Sequence, residues 1–133
     1  MLGRDAAERA WTPEDLDRLF LERANAGDVD GVVALYEPTA VLALAPGQPA
    51  TGQPAPGQPA TGRLAVGAEA IRRVYAELLA DPPAFTGEVR PAIRNGDLAV
   101  TSTTRTGNAT VEVARRQPDG SWLWVIDQPN VLG

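Results

Sequence analysis

The chain has 133 residues, 44% of them apolar and 22% charged, and a net charge of −5. That describes one globular domain, residues 1–133, large enough for its own core, and it argues against nucleic-acid binding, which needs a basic surface. Cysteine and histidine are absent and all 12 basic residues are arginine. These absences exclude disulfides, thiolate and Schiff-base nucleophiles, a Ser-His-Asp triad and cysteine-held zinc.

Acid–base chemistry is left to Asp, Glu or Tyr, and no metal or cofactor is expected. No apolar run approaches the roughly 18 residues of a membrane span. The opening MLGRDAAERAWTPED is charged and lacks an apolar leader core, so a cytoplasmic protein is expected.

Thr12-Pro13-Glu14-Asp15 reads as a helix start, with Thr at the N-cap, Pro in the first turn and acids beside it. Leu16, Leu19, Phe20 and Ala24 follow at helical spacing, and Gly27 ends the helix. Trp11, just ahead of the cap, suits a hydrophobic staple. Asp28 caps a second, shorter helix carrying Val32, Val33, Leu35 and Tyr36, stopped by Pro38. Thr39 to Ala45 reads as a strand. A third helix is predicted over 68–80, where Ile71, Val74, Tyr75, Leu78 and Leu79 form an amphipathic stripe.

Between that strand and the third helix, APGQPATG occurs twice, at 45–52 and 55–62. Two copies cannot build a solenoid. The segment 45–62 reads as a duplication within a surface loop, where added length costs little, with no helix or strand from about Gln48 to Ala60.

From Phe85 onward the pattern is that of four antiparallel strands, about 86–94, 97–106, 109–117 and 121–128. Asn95-Gly96, Gly107-Asn108 and Asp119-Gly120 mark the turns. A two-residue turn at Asp119-Gly120 would set Glu112 directly opposite Asp127, on one face of the sheet. A two-residue turn at Gly107-Asn108 would make Thr103 the next neighbour of Glu112. Two adjacent carboxylates repel, so one holds its proton unless Arg105 or Arg90 compensates.

Such a pair could do acid–base work without histidine. The plainer reading is a polar solvent face, with Asp127 capping a strand end. On the opposite parity, Trp122, Trp124 and Ile126, with Val100, Val111 and Val113, would form an apolar patch suited to packing or to a homodimer interface. Tyr36 and Tyr75 read as core residues with hydroxyls at an edge.

The words FLERANAGDVDGVVALYEPTAVL, GAEAIRRVYAELL and RRQPDGSWLWVIDQP resemble the nuclear transport factor 2-like superfamily, which includes ketosteroid isomerases and SnoaL-like cyclases. The likeness runs from Leu16 to Pro129. It implies an α+β fold: a cone-shaped barrel of three N-terminal helices on a curved, mainly antiparallel sheet, around an apolar pocket. Set against the isomerase branch, the oxyanion-hole tyrosine falls at Phe20, the general base near Leu44 and the protonated aspartate at Glu112.

Two of those three roles have no matching side chain here, so ordinary ketosteroid isomerisation is not expected. The resemblance makes Glu112 and Asp127 the candidate catalytic pair. It makes Phe20, Tyr36, Leu44, Tyr75, Thr103, Arg105 and Val125 the candidate ligand-facing residues. Three functions stay open: binding of a small apolar molecule; an isomerase, cyclase or hydrolase working through the carboxylate pair; and a dimeric protein-interaction module.

Overall fold

The structure, a computed structural model, describes residues 8–44, 64–81 and 84–131. The repeat at 45–62 lies outside the described residues. Helix α1 spans Pro13–Asn25 and begins with a reciprocal cap: the Thr12 hydroxyl accepts from the Asp15 amide, and the Asp15 carboxylate accepts from the Thr12 amide at 3.1 Å. The Trp11 amide also donates to Asp15 at 3.1 Å, but its ring is 57% exposed, so the expected staple does not form.

Helix α2, Val29–Val33, is capped by Asp28, which accepts from the Gly31 amide at 2.9 Å. It is shorter than expected. Strand β1 already begins at Tyr36 and runs to Ala43, so Tyr36 is a strand residue and Pro38 lies inside a strand. Pro38 is tolerated because the pairing of β1 is irregular between Tyr36 and Val41, where its missing N–H breaks no ladder bond. Strand β2, Leu64–Val66, pairs antiparallel with β1. Helix α3, Ala68–Leu78, buries Ile71, Val74 and Tyr75 and packs against α2, β1 and β2.

Three of the four expected strands are interrupted. The first divides into β3 (Glu88–Val89) and β4 (Ile93–Asn95), the second into β5 (Leu98–Thr101) and β6 (Thr103–Arg105), the third into β7 (Asn108–Ala109) and β8 (Val111–Arg116). Only β9, Trp122–Gln128, is continuous. The breaks align, so two sheets result: one of six strands in the order β2-β1-β9-β8-β5-β4, and one of three in the order β3-β6-β7. β1 and β9 are parallel and the other pairs antiparallel. The fold is therefore α+β, three helices on a mixed, mostly antiparallel sheet.

The first two turns sit one residue away from their expected centres, at Gly96-Asp97 and Thr106-Gly107. Arg105 pairs with Asn108 around Thr106-Gly107, so Thr101, not Thr103, lies opposite Glu112. The last hairpin closes around three residues, Pro118 to Gly120: Gln117 N–H donates to Ser121 O at 2.7 Å, and Gly120 takes the left-handed conformation (φ 92°) that such a loop requires.

That loop sets Arg116 opposite Trp122 and Ala114 opposite Trp124; then the register shifts, leaving Val125 as an extra residue. Beyond this β-bulge Val113 faces Ile126 and Glu112 faces Asp127. The bulge reverses the alternation of sides. Trp122 and Trp124, expected beside Ile126, share the inner face with Asp127 and are each 2% exposed.

Two adjacent rows now cross the large sheet. The inner row, Thr101–Glu112–Asp127–Leu42–Ala65, is buried throughout. The outer row, Ile93–Val100–Val113–Ile126–Val41–Val66, is wholly β-branched and largely exposed.

Candidate functional site

A cavity of about 60 Å³ lies among α1, the Phe85–Thr86 segment and the inner faces of both sheets. Phe20, Leu21, Phe85, Trp124 and Pro129 form most of its apolar wall; Asp17, Thr103, Thr110, Glu112 and Asp127 form its polar wall. Phe20 is the hub of an aromatic cluster, with its ring centroid 5.5 Å from Phe85, 5.9 Å from Tyr75 and 6.1 Å from Trp124. Gly87 lets the Phe85 segment approach β6, since a Cβ there would fall 2.4 Å from Thr103 Cγ2.

Of the residues expected from the sequence, Phe20, Tyr75, Thr103, Arg105, Glu112 and Asp127 border this cavity. Tyr36 stands directly behind it. Its hydroxyl donates to Asp127 Oδ2 at 2.5 Å and lies 2.9 Å from the Tyr75 hydroxyl. Leu44 and Val125 do not border it. Leu44 packs into the core beyond the end of β1, and Val125 is the bulged residue, turned off the inner row.

Asp17 is the residue the sequence reading passed over. Its spacing from Pro13, Phe20 and Ala24 puts an acid inside the apolar stripe of α1, and that misplaced charge was the available signal. Phe85 and Thr110, which lie outside regular strands, also escaped notice, and the bulge moved Trp124 from its expected outer face to the cavity wall.

Asp17, Glu112 and Asp127 are each no more than 4% exposed. The Asp17 carboxyl reaches both Glu112 and Thr103, and two carboxyls can share a hydrogen bond only if one keeps its proton. Glu112 Oε1 accepts from the Thr101 hydroxyl at 2.5 Å, which in turn accepts from the Trp124 indole N–H at 3.1 Å.

Burial raises the proton affinity of all three acids. The Asp17 charge raises that of Glu112 further, and the Asp127 charge that of Asp17. Asp127 is pushed up to about 8, by burial first and then by Glu112, against the opposing hydrogen bond from Tyr36.

The expected arginine partner is not supplied. Arg90 pairs with Glu88 at 3.3 Å, and Arg105 borders the cavity with its side chain exposed, in no ion pair among the described residues. Among the described residues, no group of three acids is arranged to hold a metal ion. Two buried carboxyl oxygens, Asp17 Oδ2 and Asp127 Oδ1, have no hydrogen-bond partner among the described residues.

The SnoaL-like domain family matches residues 17–128. The chain belongs to that family. Structures with the same fold include a ketosteroid isomerase-like protein from Erwinia carotovora atroseptica, 22% identical over 86% of this chain and 89% of that one, TM-score 0.61. An NTF2-like protein with a cystatin-like fold from Novosphingobium aromaticivorans is 19% identical over 86% and 76%, TM-score 0.56. An NTF2-like protein of unknown function from Pseudomonas putida is 16% identical over 86% and 80%, TM-score 0.56.

A search of curated proteins gives no match. These likenesses carry the fold; function rests on the site. In this SnoaL-like domain the hydroxyl missing at Phe20 has a neighbour: Tyr75, on α3, borders the same cavity edge-on to that ring.

Proposed function

We propose that this SnoaL-like domain binds a small, largely apolar molecule with one hydrogen-bond-accepting group, and that the Asp17–Glu112–Asp127 cluster donates a hydrogen bond or a proton to it. The observation that carries this reading is the pair of partnerless buried oxygens, Asp17 Oδ2 and Asp127 Oδ1, on residues that border the cavity. Leaving a buried polar atom unsatisfied costs about 1–3 kcal/mol, and a polar ligand atom removes that cost.

The phenol pair behind Asp127 and the Trp124–Thr101 chain behind Glu112 hold both carboxyls in place. A carboxyl that keeps its proton can act as a general acid toward a carbonyl, epoxide or alcohol oxygen, while an ionised neighbour takes a proton. Isomerase, cyclase and hydrolase reactions are all within reach of that exchange.

A second reading is a dimeric interaction module. It is favoured by a cavity well below the roughly 300–1,000 Å³ of ordinary ligand pockets and by the exposed outer row. The two readings are compatible, and the proposal places a homodimer, joined through that row, in the cytoplasm. Among the described residues no helix is long and apolar enough to cross a membrane.

Native mass spectrometry after incubation with a metabolite extract tests this, reporting stoichiometry and retained ligand together. Wild type should retain a small molecule; Glu112→Leu should lose it; Glu112→Gln and Asp127→Asn should fold, dimerise and abolish turnover of any substrate so found. A wild type that retains nothing, or the same ligand still held after Glu112→Leu, overturns the binding reading.

A further inference from the structure

Among the described residues, Arg105 is the one basic residue in the cavity wall. Six other arginines among the described residues each face an acid at salt-bridge distance. Arg94 instead lies over the Trp122 ring, 5.6 Å from its centre. Arg105 borders a cavity holding three carboxyls yet pairs with none of them. It sits on β6 in the small sheet, at an exposed position, whereas Asp17, Glu112 and Asp127 are buried on α1 and the large sheet. The cavity thus has a buried acidic end and a basic rim.

While the three carboxyls hold their protons, Arg105 supplies the only formal charge among the described residues of that wall, which is then net positive. Arginine keeps its charge across the working pH range and presents a planar fork matched to a carboxylate. Once the carboxyls ionise, the wall becomes net negative and repels an anion.

Resting on the binding reading above, we infer that the ligand class is an amphipathic monocarboxylate. Its carboxylate sits on Arg105 at the rim, a short apolar body lies against the wall formed by Phe20 and Phe85, and its carbonyl or hydroxyl oxygen reaches the carboxyl cluster. The modest inner volume suits a short chain whose charged end stays outside.

The test uses two probes of similar length, 5-oxohexanoate and the neutral ketone 2-hexanone, titrated by NMR at pH 6.5 into wild type, Arg105→Gln and Arg105→Lys. The keto acid should bind wild type about tenfold more tightly than the ketone. Arg105→Gln should erase that advantage by weakening the keto acid far more than the ketone, and Arg105→Lys should restore part of it. Raising the pH to 9 should weaken the keto acid more than the ketone.

Equal affinity for both probes in wild type, or keto acid binding indifferent to Arg105→Gln, overturns the monocarboxylate assignment while leaving the pocket reading standing. Binding of neither probe overturns both.

Discussion

The two rows that cross the large sheet side by side reverse the usual relation between polarity and exposure. The inner row carries Thr101, Glu112 and Asp127 and is sealed from solvent; the outer row is six β-branched residues, with Ile93 73% and Ile126 51% exposed. Along one strand, Ile126 and Asp127 are neighbours with opposite fates. An acid in the interior costs free energy that packing must offset, and an apolar ridge in water forfeits what burial would give. A fold that holds both arrangements has an interior suited to a polar atom and an exterior suited to contact.

The sharpest way to break the contrast is on β9. Trp124→Ala removes an inner side chain packed on Phe20 and Tyr36 and anchoring Thr101. It should cost about 3–5 kcal/mol, whereas Ile126→Ala should cost under about 1 kcal/mol in the monomer. Urea titration of both variants measures the difference; equal losses would mean that the outer row is as buried as the inner one.

Next in size is pH. Asp127 has a folded pKa raised to about 8, so its contribution to stability is present in full below its unfolded value near 4 and is lost as pH rises through 8. Asp17 and Glu112 are shifted in the same direction and add to the decline. Glu37, lowered by Arg115, works the other way and weakens the fold only as pH falls through the carboxylate range. The melting temperature should therefore be highest on the acid side of neutral and fall toward pH 9. Glu112→Gln should flatten that fall and be more stable than wild type at pH 9 by on the order of 2 kcal/mol. A flat wild-type profile would show the cluster to be ionised and solvated.

A smaller effect on folding, with a large one on assembly, comes from Ile126→Asp. It should leave the monomer fold within about 1 kcal/mol of wild type and convert a dimer into a monomer in light scattering at micromolar concentration. A wild type that is already monomeric there refutes the homodimer. Smallest of all, Arg116→Ala breaks only the exposed pair with Asp97, 3.1 Å apart, and should change stability by less than about 0.5 kcal/mol.

Much of the architecture was legible because local signals are strong where they are local. The Thr12 cap, the Asp28 cap and the stripe of α3 each name their helix within a few residues. The Glu112–Asp127 pairing was legible for a less secure reason. The final hairpin loop has three residues where two were expected, an error of one, and the bulge at Val125 restores it, so the register came out right only beyond the bulge. Between loop and bulge the same error put Trp122 and Trp124 on the wrong face. A bulge has no composition of its own, and Val125 is as good a strand residue as its neighbours. Tyr36 was misread because a proline two residues on resembles a helix stop, and the irregular stretch of β1 that tolerates it shows only in its pairing with β9, far along the chain. Asp17 required only that an acid within an apolar stripe be taken seriously.

The interruptions near residues 90–92, 102 and 110 separate the buried carboxyls of the cavity from its basic rim. The carboxyls belong to α1, β8 and β9, where any replacement meets Trp124, Tyr36 or another acid. Arg105 belongs to the small sheet, at an exposed position where most substitutions change stability by no more than about 0.5 kcal/mol. On the proposed reading, descendants of this chain can exchange one guest for another by drift at the rim while the buried carboxyls stay fixed, and the two traits are free to evolve at different rates.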